Sequence, residues 1–152
     1  MRTWLRKATE MSIKVRLWPG AGSVEQLEQV VQRYRGPEGH LGLHRAQDLQ
    51  SWLMHQAAVH LLGLDPRLVE RLQVTLARWR GDKGRRSEPL LAAWGDILER
   101  HDWQTALAHT ERAQELRQAS PLATVLPQDT RLAIIEAVHA LKGARRPRGE
   151  RP

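Results

Sequence analysis

Two histidines and an aspartate are the residues whose types and spacing come nearest to a reactive site. His40, His44 and Asp48 follow one another at intervals of four residues, a spacing that would place two imidazoles and a carboxylate along one helix face. Such a set can bind a divalent metal. Gly39 and Gly42 flank His40 and favour a loop there, so a second interpretation has His44 hydrogen-bonded to Asp48 at a surface or helix interface. We predict no metal and no cofactor at this position.

Other signatures of catalysis are missing from the sequence. It contains no cysteine, which excludes thiol nucleophiles and thiolate zinc sites. Its serines lie at cap, turn or ordinary helical positions, without the Gly-x-Ser-x-Gly pattern of a nucleophile elbow. The run Gly81-Asp82-Lys83-Gly84 lacks both the spacing of a phosphate-binding loop and a preceding strand. We therefore predict that the protein is not an enzyme.

Cationic side chains form a clearer pattern. The sequence has 24 Lys and Arg against 17 Asp and Glu. A group of them follows Asp65, namely Arg67, Arg71, Arg78, Lys83, Arg85 and Arg86. The arginines of the predicted helix lie beside its apolar stripe, and the remaining cations continue into a loop. This surface predicts binding of DNA or RNA, because neutralising phosphates releases counterions. An ordinary solvated face of an arginine-rich protein is the alternative.

The N-terminal arm carries the pattern of a strand. Ile13, Val15 and Leu17 alternate with cationic residues before the turn signal Trp18-Pro19-Gly20. No second strand is evident, so we expect this segment to form an irregular arm packed on the helices, or a strand that pairs with another chain. Trp18 is the tryptophan that we expect to be exposed. These four residues are the predicted contacts with a protein partner.

From Ser23 onward, apolar residues recur at helical spacing. Ser23 and Gln26 form a predicted capping box at the first helix. Further helices are predicted over residues 41–62, over 66–80, after Ser87, from Asp102 to about Ala119, and from Pro127 to Gly143. In the last helix Leu132, Ile135, Val138 and Leu141 are expected to face the core. The predicted fold class is all-α, a compact bundle of about six helices.

Three regions are predicted along the chain. Residues 1–22 form the arm with one potential strand, residues 23–142 a single helical domain, and residues 143–152 a basic tail that we expect to be disordered. No run of apolar residues is long enough for a membrane span, and the charged N-terminus does not resemble a secretion signal. We therefore expect a soluble protein of the cytoplasm that does not contact membranes.

Three motifs resemble a group of small uncharacterised bacterial helical proteins. These are the stretch from Leu116 to Leu126 (LRQASPLATVL), the helical segment His44-Arg-Ala-Gln-Asp-Leu49 and the pair Arg78-Trp79. The resemblance covers residues 40–135 and implies a helical fold. It implies no activity and no site residues, because none is established for the group.

Taken together, these patterns predict a non-enzymatic bacterial protein that works by binding. The first hypothesis is a regulatory or neutralising, antitoxin-like partner of another protein, encoded near it, with contacts through Ile13, Val15, Leu17 and Trp18. Charged ends that fold on a partner are typical of such proteins. The alternative is a nucleic-acid-binding protein that uses the arginine-rich helix and loop. The sequence leaves the oligomeric state open.

Overall fold

The computed structural model describes residues 2–7, 11–36, 39–82 and 87–143. Most of the described residues are helical, which confirms the predicted all-α class. The elements, in chain order, are the strands β1 (Arg2–Lys7) and β2 (Met11–Arg16), the helices α1 (Val24–Tyr34), α2 (Leu43–Leu64), α3 (Arg67–Asp82), α4 (Glu88–Arg100), α5 (Trp103–Ala106) and α6 (Glu111–Gln118), a 3₁₀ helix (Leu122–Val125), and α7 (Gln128–Gly143).

The chain divides into two compact units. The first contains Met1–Leu53 and Pro127–Pro152, and the second contains Met54–Leu126. Helix α2 contributes residues to both units. The predicted single domain over residues 23–142 stays a prediction, but its two ends belong to the first unit together with the N-terminal strands. In the described parts of the chain, no helix is both long and apolar enough to cross a membrane.

The N-terminal segment is a β-hairpin, which corrects the prediction of an irregular arm or a lone strand. β1 and β2 pair antiparallel, with Thr3 opposite Val15 and Leu5 opposite Ile13. β1 packs against α1, and β2 packs against α7. The partner strand escaped prediction because its sequence, Arg-Thr-Trp-Leu-Arg-Lys, has charged ends and no regular alternation of apolar residues. The pairing satisfies the amides that an isolated β2 would have exposed.

Helix α1 begins at the capping box that the sequence predicts. The Ser23 hydroxyl accepts a hydrogen bond from the Gln26 amide at 3.1 Å, and the Gln26 side chain accepts one from the Ser23 amide at 2.9 Å. Gly22 precedes the box at φ +81°, and a Cβ there would lie 2.5 Å from Gln26 Oε1. The backbone angle therefore favours glycine, and a side chain there would also have to displace the flexible end of Gln26. The helix buries Leu27, Val31 and Tyr34.

Helix α7 buries only part of the predicted face. Its core residues are Ala133, Ile134, Ala137, Val138 and Leu141, all at most 4% exposed, so Val138 and Leu141 face inward as predicted. Leu132 and Ile135, which were also expected to face inward, are 43% and 41% exposed. The helix carries more apolar residues than one stripe needs, so periodicity alone placed the stripe only partly correctly. Small alanines occupy the buried side, where α7 packs against β2.

The second unit is built around Trp94 of α4. This side chain is fully buried, and its indole N–H donates to the Leu116 carbonyl at 2.7 Å. His55, also buried, stacks on the indole with ring centres 6.0 Å apart. Helix α3 packs against α4 and presents Val69, Leu72 and Leu76 as its buried stripe. An indole with its polar atom satisfied can fill the core without an energetic penalty for burial.

The helix predicted from Asp102 to about Ala119 is in fact two short helices, α5 and α6. Thr110 ends the interruption by capping α6, its hydroxyl accepting from the Ala113 amide at 3.1 Å. The buried guanidinium of Arg117, also on α6, reaches across the break and donates to the carbonyls of Ala106 and Ala108 at 2.8 and 2.9 Å. These bonds replace the helical partners that the two carbonyls lost when the helix was interrupted.

Candidate binding surfaces

The three residues considered for a metal do not share one helix. Helix α2 begins at Leu43, so His40 lies before it, while His44 and Asp48 lie within it. No hydrogen bond joins His44 to Asp48, so the interpretation as a hydrogen-bonded pair is not supported either. Across the described ranges, no group of three His, Cys, Asp or Glu side chains is placed to hold a metal ion.

The predicted protein contacts in the arm are largely turned toward the protein itself. Val15 is 6% exposed and Trp18 is 5% exposed, so the expectation of an exposed tryptophan is wrong. A turn follows Trp18, whose carbonyl accepts from the Ala21 amide at 3.1 Å. Leu17 is half-buried, and Ile13 lies within the paired strand β2. Protein binding by this segment stays a prediction, but the buried Val15 and Trp18 do not present a surface to a partner.

The arginines of α3 differ in how far they are neutralised. Arg67 pairs with Asp65, Nε to Oδ1 at 3.0 Å, and this hydrogen bond lowers the pKa of the Asp65 carboxyl. Arg71 and Arg78 are exposed and form no ion pair with another described residue. They lie with the 62% exposed Val74 on the side opposite the buried stripe. Lys83, Arg85 and Arg86, the rest of the predicted cationic surface, lie outside the described residues.

A groove between α2 and α7 in the first unit was not predicted. Its volume is about 260 Å³. Each helix lines it with residues at positions i, i+3, i+4 and i+7: Leu43, Ala46, Gln47 and Gln50 from α2, and Ile135, Val138, His139 and Lys142 from α7. Ala46 and Val138, both 3% exposed, form the floor, and Leu43, 59% exposed, stands beside it. We call this feature the α2–α7 groove.

The lining of the α2–α7 groove combines exposed aliphatic side chains with polar ones. Leu43 and Ile135 supply the apolar surface, and Lys142 is the lining residue with a full positive charge. The lining contains no carboxylate. The surplus of apolar residues on α7 was the sequence signal for this surface. The sequence alone does not show whether such a residue faces the core or a partner, because both positions favour the same residue types.

No family model, curated protein or solved structure matches this chain. The resemblance to small bacterial helical proteins therefore stays a prediction. A functional conclusion has to be drawn from the surfaces of the protein.

Proposed function

We propose that this chain is a non-enzymatic binding protein of the bacterial cytoplasm that regulates or neutralises another protein, as an antitoxin does. In this proposal the contact surface is the α2–α7 groove, in place of the arm that the sequence suggested. One observation carries the proposal: Leu43, Leu132 and Ile135 are large aliphatic side chains left exposed on the two helices that form the groove or continue its face.

The exposure of these side chains favours a partner, because apolar surface left in contact with water is energetically unfavourable unless a partner covers it. Isolated exposed leucines are common on protein surfaces, but Leu43 and Ile135 line one groove together, and exposed apolar side chains that are grouped mark interaction sites. At about 260 Å³ the groove is smaller than the ~300–1,000 Å³ typical of small-molecule pockets. It has room for a few side chains of a partner helix laid across it. The positive charge of Lys142 favours a partner with carboxylates beside its apolar residues.

Co-purification with the products of neighbouring genes tests this proposal. The wild-type chain should retain a partner, and Ile135→Glu should release it, because a charge would enter an apolar contact. Val74→Glu is the matched control, since Val74 is also an exposed aliphatic residue but lies on α3. Recovery of a lone monomer at physiological concentration, or equal effects of the two substitutions, would contradict the proposal.

Nucleic-acid binding is the second candidate function, favoured by the exposed and unneutralised Arg71 and Arg78 on one face of α3. A gel shift with DNA and RNA across a salt series tests it, because affinity from phosphate contacts falls steeply with salt. Arg71→Glu with Arg78→Glu should abolish the shift. Arg112→Glu is the control, since Arg112 is exposed on α6 and pairs with Glu115 at 3.1 Å. Binding that is absent at about 50 mM salt or insensitive to salt removes this candidate.

A further inference from the structure

A second cavity, in the second unit, brings together residues that are far apart in the sequence. Its volume is about 180 Å³. Its lining consists of Trp79 at the end of α3, Ser87 and Leu91 at the start of α4, and Gln118, Ala119 and Ser120 at the end of α6. Trp79 and residues 118–120 belong to two of the motifs singled out in the sequence. The fold thus places the Arg-Trp pair and the LRQASP stretch at one cavity, which we call the Trp79 pocket.

The pocket is lined by apolar side chains and by several polar groups. The half-buried Trp79 contributes an aromatic ring to the lining, and the buried Leu91 contributes an aliphatic side chain. Aromatic side chains stack favourably on planar rings such as nucleic-acid bases. An aliphatic ligand would use this surface but would leave the surrounding hydroxyls without partners.

Two of the polar groups keep hydrogen-bonding capacity that the fold does not use. Ser87 occupies the N-cap position of α4, but its side chain makes no capping bond, contrary to the predicted cap. The Ser120 oxygen accepts from the Leu122 amide at 3.0 Å, so its own O–H still can donate. Gln118 is exposed at the end of α6 and adds an amide with both donors and an acceptor.

Charge and size narrow the class of ligand. None of the described residues that line the pocket is charged. Of the charged residues that flank them in sequence, Arg80 and Glu88 pair with each other, and Arg117 donates to the carbonyls of Ala106 and Ala108. The described lining therefore favours a ligand whose buried part is neutral. The volume suits one ring system and is too small for the drug-sized ligands that occupy ~300 Å³ or more.

We infer that the Trp79 pocket binds a nucleobase, stacked on the indole and hydrogen-bonded along its edge by Ser87, Gln118 and Ser120. Sugar and phosphate remain outside the pocket. The base belongs either to a free nucleoside or nucleotide or to a single-stranded nucleic acid, and these share the same recognition chemistry. The inference is independent of the α2–α7 groove, which lies in the other unit, and either can fail without the other.

The test follows the indole N–H signals of the tryptophans in ¹⁵N-labelled full-length protein during titration with uridine, cytidine, adenosine and guanosine. Trp79→Phe assigns the Trp79 signal, and Trp103→Phe is its matched control, since Trp103 is the half-buried tryptophan of α5. We expect at least one nucleoside to shift the Trp79 signal in a saturable manner while ribose alone does not. A single-stranded oligonucleotide that binds more tightly than the free nucleoside identifies a strand as the source.

Side-chain variants separate a binding site from a general effect on the fold. Ser87→Ala and Gln118→Ala should each weaken binding about 2- to 12-fold, the loss expected for one hydrogen bond. Gln104→Ala, at an exposed glutamine of α5, should change nothing. Gln118 is exposed, so its variant remains folded and informative even if Trp79→Phe does not fold. An unmoved Trp79 signal at millimolar nucleoside, or equal losses for the Gln118 and Gln104 variants, overturns the inference.

Discussion

Helices α3 and α7 have the same length, sixteen residues each, yet they expose different chemistry. In the second unit, α3 buries one regular aliphatic stripe and exposes arginines around a single large aliphatic residue, Val74. In the first unit, α7 buries a face rich in alanine and leaves Leu132 and Ile135 exposed. The difference shows that apolar content does not determine which face is the core. On α7, the larger aliphatic residues are available for an external contact.

The strongest test of this comparison uses two neighbouring isoleucines of α7. Ile134 is fully buried and Ile135 is 41% exposed. Ile134→Ala should lower the free energy of unfolding by about 2–5 kcal/mol, through lost burial and a cavity. Ile135→Ala should cost no more than about 1 kcal/mol. Urea denaturation of both variants measures the difference, and similar losses would mean that the assigned faces of α7 are wrong.

A second prediction concerns the hydrogen bond by which the buried Trp94 of the second unit is held. Trp94→Phe keeps an aromatic ring in the core but removes the hydrogen bond to the buried Leu116 carbonyl. We expect a loss of about 0.5–1.5 kcal/mol in unfolding free energy, the contribution of one hydrogen bond, because the Leu116 carbonyl still accepts from the Ala119 amide at 3.0 Å. Trp103→Phe is the control because no hydrogen bond involving its indole nitrogen is present in the described structure. Equal stability of the two variants would show that packing alone holds α4 to α6.

A smaller effect is expected where α4 ends. His101 adopts the left-handed conformation, with φ 55° and ψ 44°, and stacks on Trp103 at 5.5 Å between ring centres. This conformation is costly for a residue with a Cβ and worst for a β-branched one. His101→Val should therefore destabilise the protein by about 1 kcal/mol or more, whereas His101→Gly should be tolerated. Thermal melting distinguishes the two, and a more damaging glycine would show that the ring stack outweighs the strain.

The smallest expected effect is a dependence of protein stability on acidic pH, caused by Asp102 at the start of α5. The Asp102 carboxylate accepts from the Thr105 hydroxyl at 2.6 Å and from the Thr105 amide at 3.3 Å, and these bonds lower the pKa of Asp102. A lowered pKa in the folded state means that the stabilisation is present above the ordinary aspartate range and is lost as pH falls through the folded pKa. Asp102→Asn should flatten the stability profile between about pH 4 and pH 2. An unchanged acid profile would contradict this assignment.

Local signals in the sequence predicted part of this fold well. The Ser23–Gln26 capping box is confirmed, because it depends on residues within one turn. The break between α5 and α6 was missed although Thr110 followed by Glu111 is a start signal, since the apolar pattern continued across it. Strand β1 was missed because its own residues do not show a strand pattern and it is stabilised by pairing with β2. Pairing between separate segments cannot be predicted from a short stretch of sequence.

The candidate surfaces were harder to predict for the same reason. The exposed arginines of α3 follow from helical spacing, and Arg71 and Arg78 are exposed as that spacing indicated. The Trp79 pocket depends on three segments that meet only in the folded chain, so its polar residues looked like ordinary caps and turns. Trp18 was expected to be exposed because it adjoins Pro19 and Gly20, but pairing of the strands and the turn after it place it against its own unit.

The contact between Gly22 and Gln26 has a consequence for how this sequence can change during evolution. The glutamine amide occupies the space that a side chain at position 22 would need, while also holding the first amide of the helix. Loss of the glycine would strain the backbone and displace that amide, whereas loss of the glutamine would free the space but leave the positive φ unchanged. Among descendants of this gene, glycine should therefore persist at position 22 even where position 26 has changed.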